Sequence, residues 1–190
     1  MAAPRNQLAT AADLRDDDRC EIIHGAIVHK ASLSGKHGAS QFAFGKVLGR
    51  RFERSPGGRW PGGWWFVSEA EVEYETHEVY VHDVAGWLRD RVAEPPDGKP
   101  IRIRPDSVCE ILSRSNTKHD LVDKFNVLHR IGVPHYWIVD PVEQTLIVHR
   151  WRPEGYLVAL TAAAGDTVRA EPFDAVEIAV ATLFGADDEE

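Results

Sequence analysis

DSVCEILSRSNTKHDLVDKFNVLHRIGVPHYWIVDP, residues 106–141, is the stretch that decides the fold of this chain. Asp106 to Leu112 is a short β-prone run that ends in the polar turn Ser113-Arg114-Ser115-Asn116. Thr117 and Asp120 are spaced as a capping box, and Leu121, Phe125 and Leu128 recur at helical spacing until Gly132 closes the pattern. That spacing predicts a helix over about 118–131. His135-Tyr136-Trp137-Ile138-Val139 is a strand of the buried type, and Asp140-Pro141 begins a turn. Strand, helix and strand in succession mark an α/β chain.

Working outward, Val79 to Trp87 reads as a strand, preceded by one in which Ala70, Val72 and Tyr74 alternate with Glu69, Glu71 and Glu73. Phe42, Val47, Leu48 and Phe52 predict a packed helix over about 39–54, ended by Pro56-Gly57-Gly58. Glu21 to Lys30 alternates around Gly25 as an opening hairpin does. Downstream, Thr145 to Trp151 and Gly155 to Leu160 read as further hairpin strands, and residues 176–183 as a strand and short helix. Residues 1–19 read as a loose leader, 20–185 as one domain, and 186–190 as a solvated acidic tail.

With 190 residues, 43% of them apolar and 27% charged, the chain suits a single domain that buries its core without disulfides. Cys20 and Cys109 form no CxxC pair, and neither a signal-peptide pattern nor an apolar run of membrane-spanning length is present, so a reducing cytoplasm is the expected setting. Nine histidines stand scattered, without HExxH or Cys/His ligand spacing, which argues against a zinc site. The net charge of −8 argues mildly against coating nucleic acid by bulk electrostatics, so any DNA contact has to be local. Trp60, Trp64 and Trp65 suit burial of a strand flank better than base stacking.

Two acids stand in apolar rows. By period-two alternation Asp83 shares a face with Val79, Val81 and Ala85, and Glu110 with Val108 and Leu112. Burying an ionised carboxylate costs several kcal/mol unless it is paired or metal-bound, and a shared Mg²⁺ answers for both at once. Lys124 lies about 60° from Leu121 and about 40° from Leu128 around the helix, at the edge of its buried face. From there its ammonium reaches the carboxylates, to orient a water or offset phosphoryl charge. Lys118 is its competitor, solvated in the first turn. Structural alternatives stand beside this reading: Asp83 satisfied by backbone N–H groups, Glu110 paired with Arg102 or Arg104, or an Asp–Lys–Glu triad without metal.

Taken in order, Glu21-Ile22-Ile23-His24-Gly25, His37-Gly38, Asp83-Val84-Ala85, residues 105–113, Asp120 with Lys124, and residues 132–141 resemble the Uma2-like (DUF820) branch of the PD-(D/E)XK nucleases, from Glu21 to about Phe184. The resemblance implies a restriction-endonuclease-like α/β fold: a mixed central sheet flanked by helices, with N-terminal and C-terminal β-hairpins. It implies Asp83 and Glu110 as metal ligands, and a catalytic lysine moved from position 112, a leucine here, onto the next helix at Lys124. The expected activity is Mg²⁺-dependent hydrolysis of DNA phosphodiester bonds, with Mn²⁺ as a substitute, the Ile111 carbonyl completing the protein ligands, and a twofold homodimer as the geometry suited to double-strand cutting.

Glu21, His37 and Asp120 are secondary candidates: Glu21 as a further acid or a hairpin closure, His37 as a phosphate donor or a plain loop histidine. The chain departs from the family pattern at His82 and Arg114, which replace prolines and offer phosphate contacts, and at Leu128, which replaces a tyrosine. The alternative function is a silent nuclease-fold module that binds nucleic acid or mediates assembly. A third is hydrolysis of another phosphate ester at the same site.

Overall fold

A computed structural model of the chain describes residues 7–15, 19–30, 34–113 and 118–188. Expectations that fall on Asp16-Asp17-Asp18, Arg114, the Thr117 half of the capping box and the last two residues of the tail lie outside them.

Strands β1 (Cys20–Ile23) and β2 (Ala26–His29) make the opening hairpin. Its two turn residues, His24 and Gly25, sit at φ 52° and 76°, the left-handed pair whose twist matches that of the flanking strands. Helix α1 (Gly35–Phe52) starts earlier than its apolar pattern predicts, because the Ser34 hydroxyl caps it by accepting the His37 N–H at 3.2 Å. Its buried face is Ala43, Phe44, Val47, Leu48 and Phe52. Phe42, expected in that face, is 76% exposed, since at about 100° per residue it falls on the far side from Phe44 and Val47.

Strands β3 (Trp64–Glu75) and β4 (Glu78–Leu88) form one long antiparallel ladder, and β5 (Ser107–Ile111) pairs along the other edge of β4. Trp64 is buried against Phe173, while Trp65 is half-buried and covered by the Arg89 guanidinium, so these indoles serve packing. The predicted helix then enters as a π-helical turn, His119–Asp123, before α2 (Lys124–Ile131), and ends at Gly132 in the left-handed conformation. The Lys124 N–H reaches back five residues to the His119 carbonyl. This wider turn shifts the helical phase: Leu121 is 41% exposed, and Lys124, predicted at the edge of the buried face, lies inside at 1%.

Strand β6 (His135–Asp140) returns parallel to β5, as a helical crossover requires, and β7 (Thr145–Arg150) and β8 (Leu157–Ala163) complete the meander. The order is β2-β1-β4-β5-β6-β7-β8, with β3 also on β4. A small ladder of β9 (Thr167–Val168) and β10 (Ile178–Ala179) leads into a 3₁₀ turn, Val180–Phe184.

Alternation along β5 and β6 divides the core. Cys109, Ile111, Trp137 and Val139 pack with Phe44, Val47 and Leu48 of α1, whereas Val108, Tyr136 and Ile138 pack with Val127 and Leu128 of α2. The sheet is thus covered by α1 on one face and α2 on the other. Leu128, fully buried, is part of that apolar layer.

Candidate functional site

One edge of β4 is paired with β3 from Leu88 to Glu78, with a skip opposite Glu69 and a bulge between Glu73 and Glu75. The other is shared: β1 pairs at Val79, β5 at Val84 to Gly86, and the two neighbours diverge between. Inside this fork the main chain of Val81 is satisfied by side chains. Its N–H donates to Glu21 Oε1 at 2.8 Å, and its carbonyl accepts from Lys30 Nζ at 2.7 Å. Unpaired buried backbone groups are rarely tolerated, which accounts for two charged residues buried here at 3% and 8% exposure.

Strict alternation also fails at this point. Ala85 and Trp87 share an apolar cluster with Ala70 and Val72, the partners of His82 and Tyr80, so the inward parity slips by one between His82 and Ala85. Glu69, across the ladder, takes φ 51° at the slip. The prediction that one face carries Val79, Val81, Asp83 and Ala85 is therefore corrected: no single row runs through all four. Asp83 sits at the break, turned toward α1, and His82 points inward.

Asp83 Oδ2 accepts the Ile111 N–H at 2.7 Å, and Oδ1 lies 3.4 Å from Lys30 Nζ and 3.3 Å from His37 Nε2. Burial works against its charge, but the His37 ring, the Lys30 ammonium and the Ile111 N–H outweigh it and hold the pKa at about 2. Glu110 Oε1 meets His82 Nδ1 at 2.5 Å and Lys124 Nζ at 3.1 Å. Lys124 Nζ also lies 2.8 Å from Glu21 Oε1 and 3.2 Å from Asp120 Oδ1, the latter off hydrogen-bond geometry.

One lysine shared by three acids explains an apparent conflict. Burial depresses the Lys124 ammonium, yet Glu110, Glu21 and Asp120 together raise its pKa well above the usual value. For Glu110 and Asp120 burial wins, and both carboxyls are pushed up to about 7 despite Lys124. His82 is held well below its usual range, first by burial and then by Lys124. A neutral His82 with the proton on Nδ1 donates to ionised Glu110 and accepts the Tyr74 hydroxyl at Nε2, 2.7 Å away. Both of its ring nitrogens are taken within the protein, so the expectation that it contacts phosphate is corrected.

The fork thus brings together Asp83, Glu110, Ile111 and Lys124, with Glu21, His37 and Asp120 around them. Arg102 and Arg104, offered as partners of Glu110, are engaged elsewhere, with Glu73 and the Ile131 carbonyl. Four carboxyl groups face two lysines, and a divalent cation would favour the ionised form of Glu110, whose pKa burial pushes up to about 7. Among the described residues no three His, Cys, Asp or Glu side chains form a metal-holding group, so an all-side-chain cage is not present. Two carboxylates and a carbonyl instead suit Mg²⁺, which keeps several waters and takes substrate oxygens.

The model of the Uma2 family, described as "putative restriction endonuclease", matches residues 6–181. The chain belongs to the Uma2 family. Its fold is also that of a crystal structure described as "a putative nuclease belonging to DUF820 from Anabaena variabilis", with a TM-score of 0.73 and 20% identity over 93% of this chain and 97% of that one. No curated protein matches it.

In this Uma2 chain, three residues at the site escaped sequence reasoning. Lys30 lies just after β2 and finds Asp83 through the sheet fork, which no local periodicity announces. Gln41 donates from Nε2 to the Asp83 carbonyl and to Glu69 Oε1, both at 2.9 Å, and its signal was its place one helical turn after His37. Tyr74 buttresses His82 from β3 and read as an ordinary core residue.

Proposed function

We propose that this Uma2 chain is a Mg²⁺-dependent endonuclease that hydrolyses DNA phosphodiester bonds, with Mn²⁺ as a substitute. The observation that carries this reading is the convergence of Asp83, Glu110 and Lys124 in one buried fork beside Ile111. Asp83, Glu110 and the Ile111 carbonyl would hold the ion. When bound, Mg²⁺ polarises the scissile phosphate and lowers the pKa of an attacking water.

The chain's own groups set that site. The Ile111 N–H fixes the rotation of Asp83, and His82, steadied by Tyr74, fixes that of Glu110. Lys124 keeps a positive charge beside Glu110, where it orients water or offsets charge on a phosphoryl oxygen. Glu21 and Asp120 position that ammonium. In-line attack leaves a 5′-phosphate and a 3′-hydroxyl. Work on DNA in the reducing cytoplasm agrees with two buried free cysteines, Cys20 and Cys109, and among the described residues no helix is long and apolar enough to cross a membrane. A twofold dimer would place two such sites on opposite strands.

One observation favours a silent assembly module: Asp83 and Glu110 already have ammonium partners in Lys30 and Lys124, and all four groups are buried. Supercoiled plasmid with Mg²⁺ or Mn²⁺ separates the readings. Nicking by the wild type, lost in Asp83→Asn and Lys124→Ala, supports the nuclease. Wild-type inactivity under both metals favours the module, and activity on small phosphodiesters without DNA cleavage indicates a different ester.

A further inference from the structure

We infer that the exposed face of α1 is the surface on which this chain grips nucleic acid, with an unpaired base stacked on Phe42. The inference rests on the DNA reading above and adds a substrate class: single-stranded DNA or a duplex with an extrahelical base.

Charge is the first argument. Over Gly35–Phe52 the chain carries Lys36, Lys46, Arg50 and Arg51 and not one Asp or Glu, although its net charge is −8. Arg51 is buried and bonded to Asp188, but Lys36 and Lys46 are exposed. Glu69 in the cleft and Asp187 and Asp188 in the neighbouring groove flank Lys46, so the contact these cations offer a polyanion is a local one at Lys46 and Lys36 rather than a broad basic face. Packing α1 against α1 of a second copy would set these like charges against each other.

Shape is the second. A cleft of about 600 Å³ runs along this face, lined by Gly38, Gln41, Phe42, Gly45, Lys46, Ser68 and Glu69. Phe42 is 76% exposed within it. At Gly38 and Gly45 an added Cβ would meet nothing within 4 Å. Glycine inside a helix weakens it relative to alanine, and among the described residues no packing asks for these two. Their effect is a flat wall beside an exposed aromatic ring, the form of a stacking platform that reads no sequence.

Continuity with the fork is the third. Gln41, in the floor of the cleft, is bonded to the Asp83 carbonyl, and His37 one turn earlier touches the Asp83 carboxylate. Glu69, the acid at the rim, is already held by Arg19 at 2.6 Å and by Gln41.

Fluorescence anisotropy with a labelled single strand, a plain duplex and a duplex carrying one extrahelical base, with Ca²⁺ in place of Mg²⁺, tests this. The wild type should bind the first and third more tightly than the plain duplex. Phe42→Ala should weaken those two about tenfold, leave the plain duplex unchanged, and Phe42→Trp should restore them. Lys46→Ala should weaken all three alike and lower the salt slope by about 1. Equal binding of all three by Phe42→Ala and the wild type overturns the inference, as does a wild-type dimer that Phe42→Ala dissociates. If the wild type cleaves plasmid while Phe42→Ala binds unchanged, only this inference falls; a wild type that neither binds nor cleaves DNA removes the nuclease reading as well.

Discussion

The two edges of β4 solve the same problem by different means. Toward β3 the ladder runs main chain to main chain from Trp64 opposite Leu88 to Glu75 opposite Glu78, broken only opposite Glu69, where Gln41 meets the Asp83 carbonyl, and at a bulge between Glu73 and Glu75. Toward β1 and β5 the ladder is interrupted, and the main chain of Val81 is met by Glu21 and Lys30. Backbone pairing needs no particular side chain and gives no chemistry. Side-chain pairing draws acids and lysines into the interior, where each depends on the others, and the price of a reactive cluster is a fragile one.

The largest break in that comparison should come from Lys124→Ala. It strips the cation from three buried acids, Glu21, Glu110 and Asp120, and should cost about 3–5 kcal/mol in urea unfolding without metal. Glu21→Gln keeps an oxygen for the Val81 N–H but loses the charge facing Lys124, and about 1.5–3 kcal/mol should go. On the β3 side, Glu73→Ala removes a pair with Arg102, whose side chain is 69% exposed, and should change stability by under about 1 kcal/mol. Should Glu73→Ala cost as much as Lys124→Ala, the two edges would not differ in the way described.

A pH series sharpens the contrast further. The folded pKa of Asp120 is raised to about 7 by burial, against Lys124, so the folded chain binds a proton more tightly there than the unfolded one. Its contribution is fully present below the unfolded carboxyl value near 3.8 and is lost as pH rises through about 7. Asp120→Asn should flatten that decline, as read by thermal unfolding between about pH 4 and 7.5. An unchanged slope would mean that Asp120 is ionised in the folded chain across the range.

Much of the fold and site was legible in the sequence, for physical reasons. Asp83 and Glu110 announced themselves because a carboxylate in an apolar strand needs a partner, and the 106–141 unit folds from local signals alone: alternation, a helical spacing and a closing glycine. What was missed depends on geometry between distant segments. Lys30 matters because two strands diverge, His82 turns inward because parity slips opposite Glu69, and Phe42 was assigned to a core whose helical face lies on the other side of α1. Helix spacing placed Lys124 near the site, but its full burial came from a turn that spacing cannot show.

That π-helical turn makes the place of Asp120 beside the lysine a matter of counting. His119–Asp123 holds one residue more than an α-helix would use to cover the same advance, and the surplus falls just before Lys124. Losing a single residue there would let the segment relax into plain α-helix and swing everything upstream by about 100° relative to α2. Asp120 would leave the lysine it steadies, while the apolar seam of Val127 and Leu128 stayed docked on the sheet. A one-residue deletion there would thus separate Asp120 from Lys124 while Glu21 and Glu110, held on other elements, kept their contacts with it.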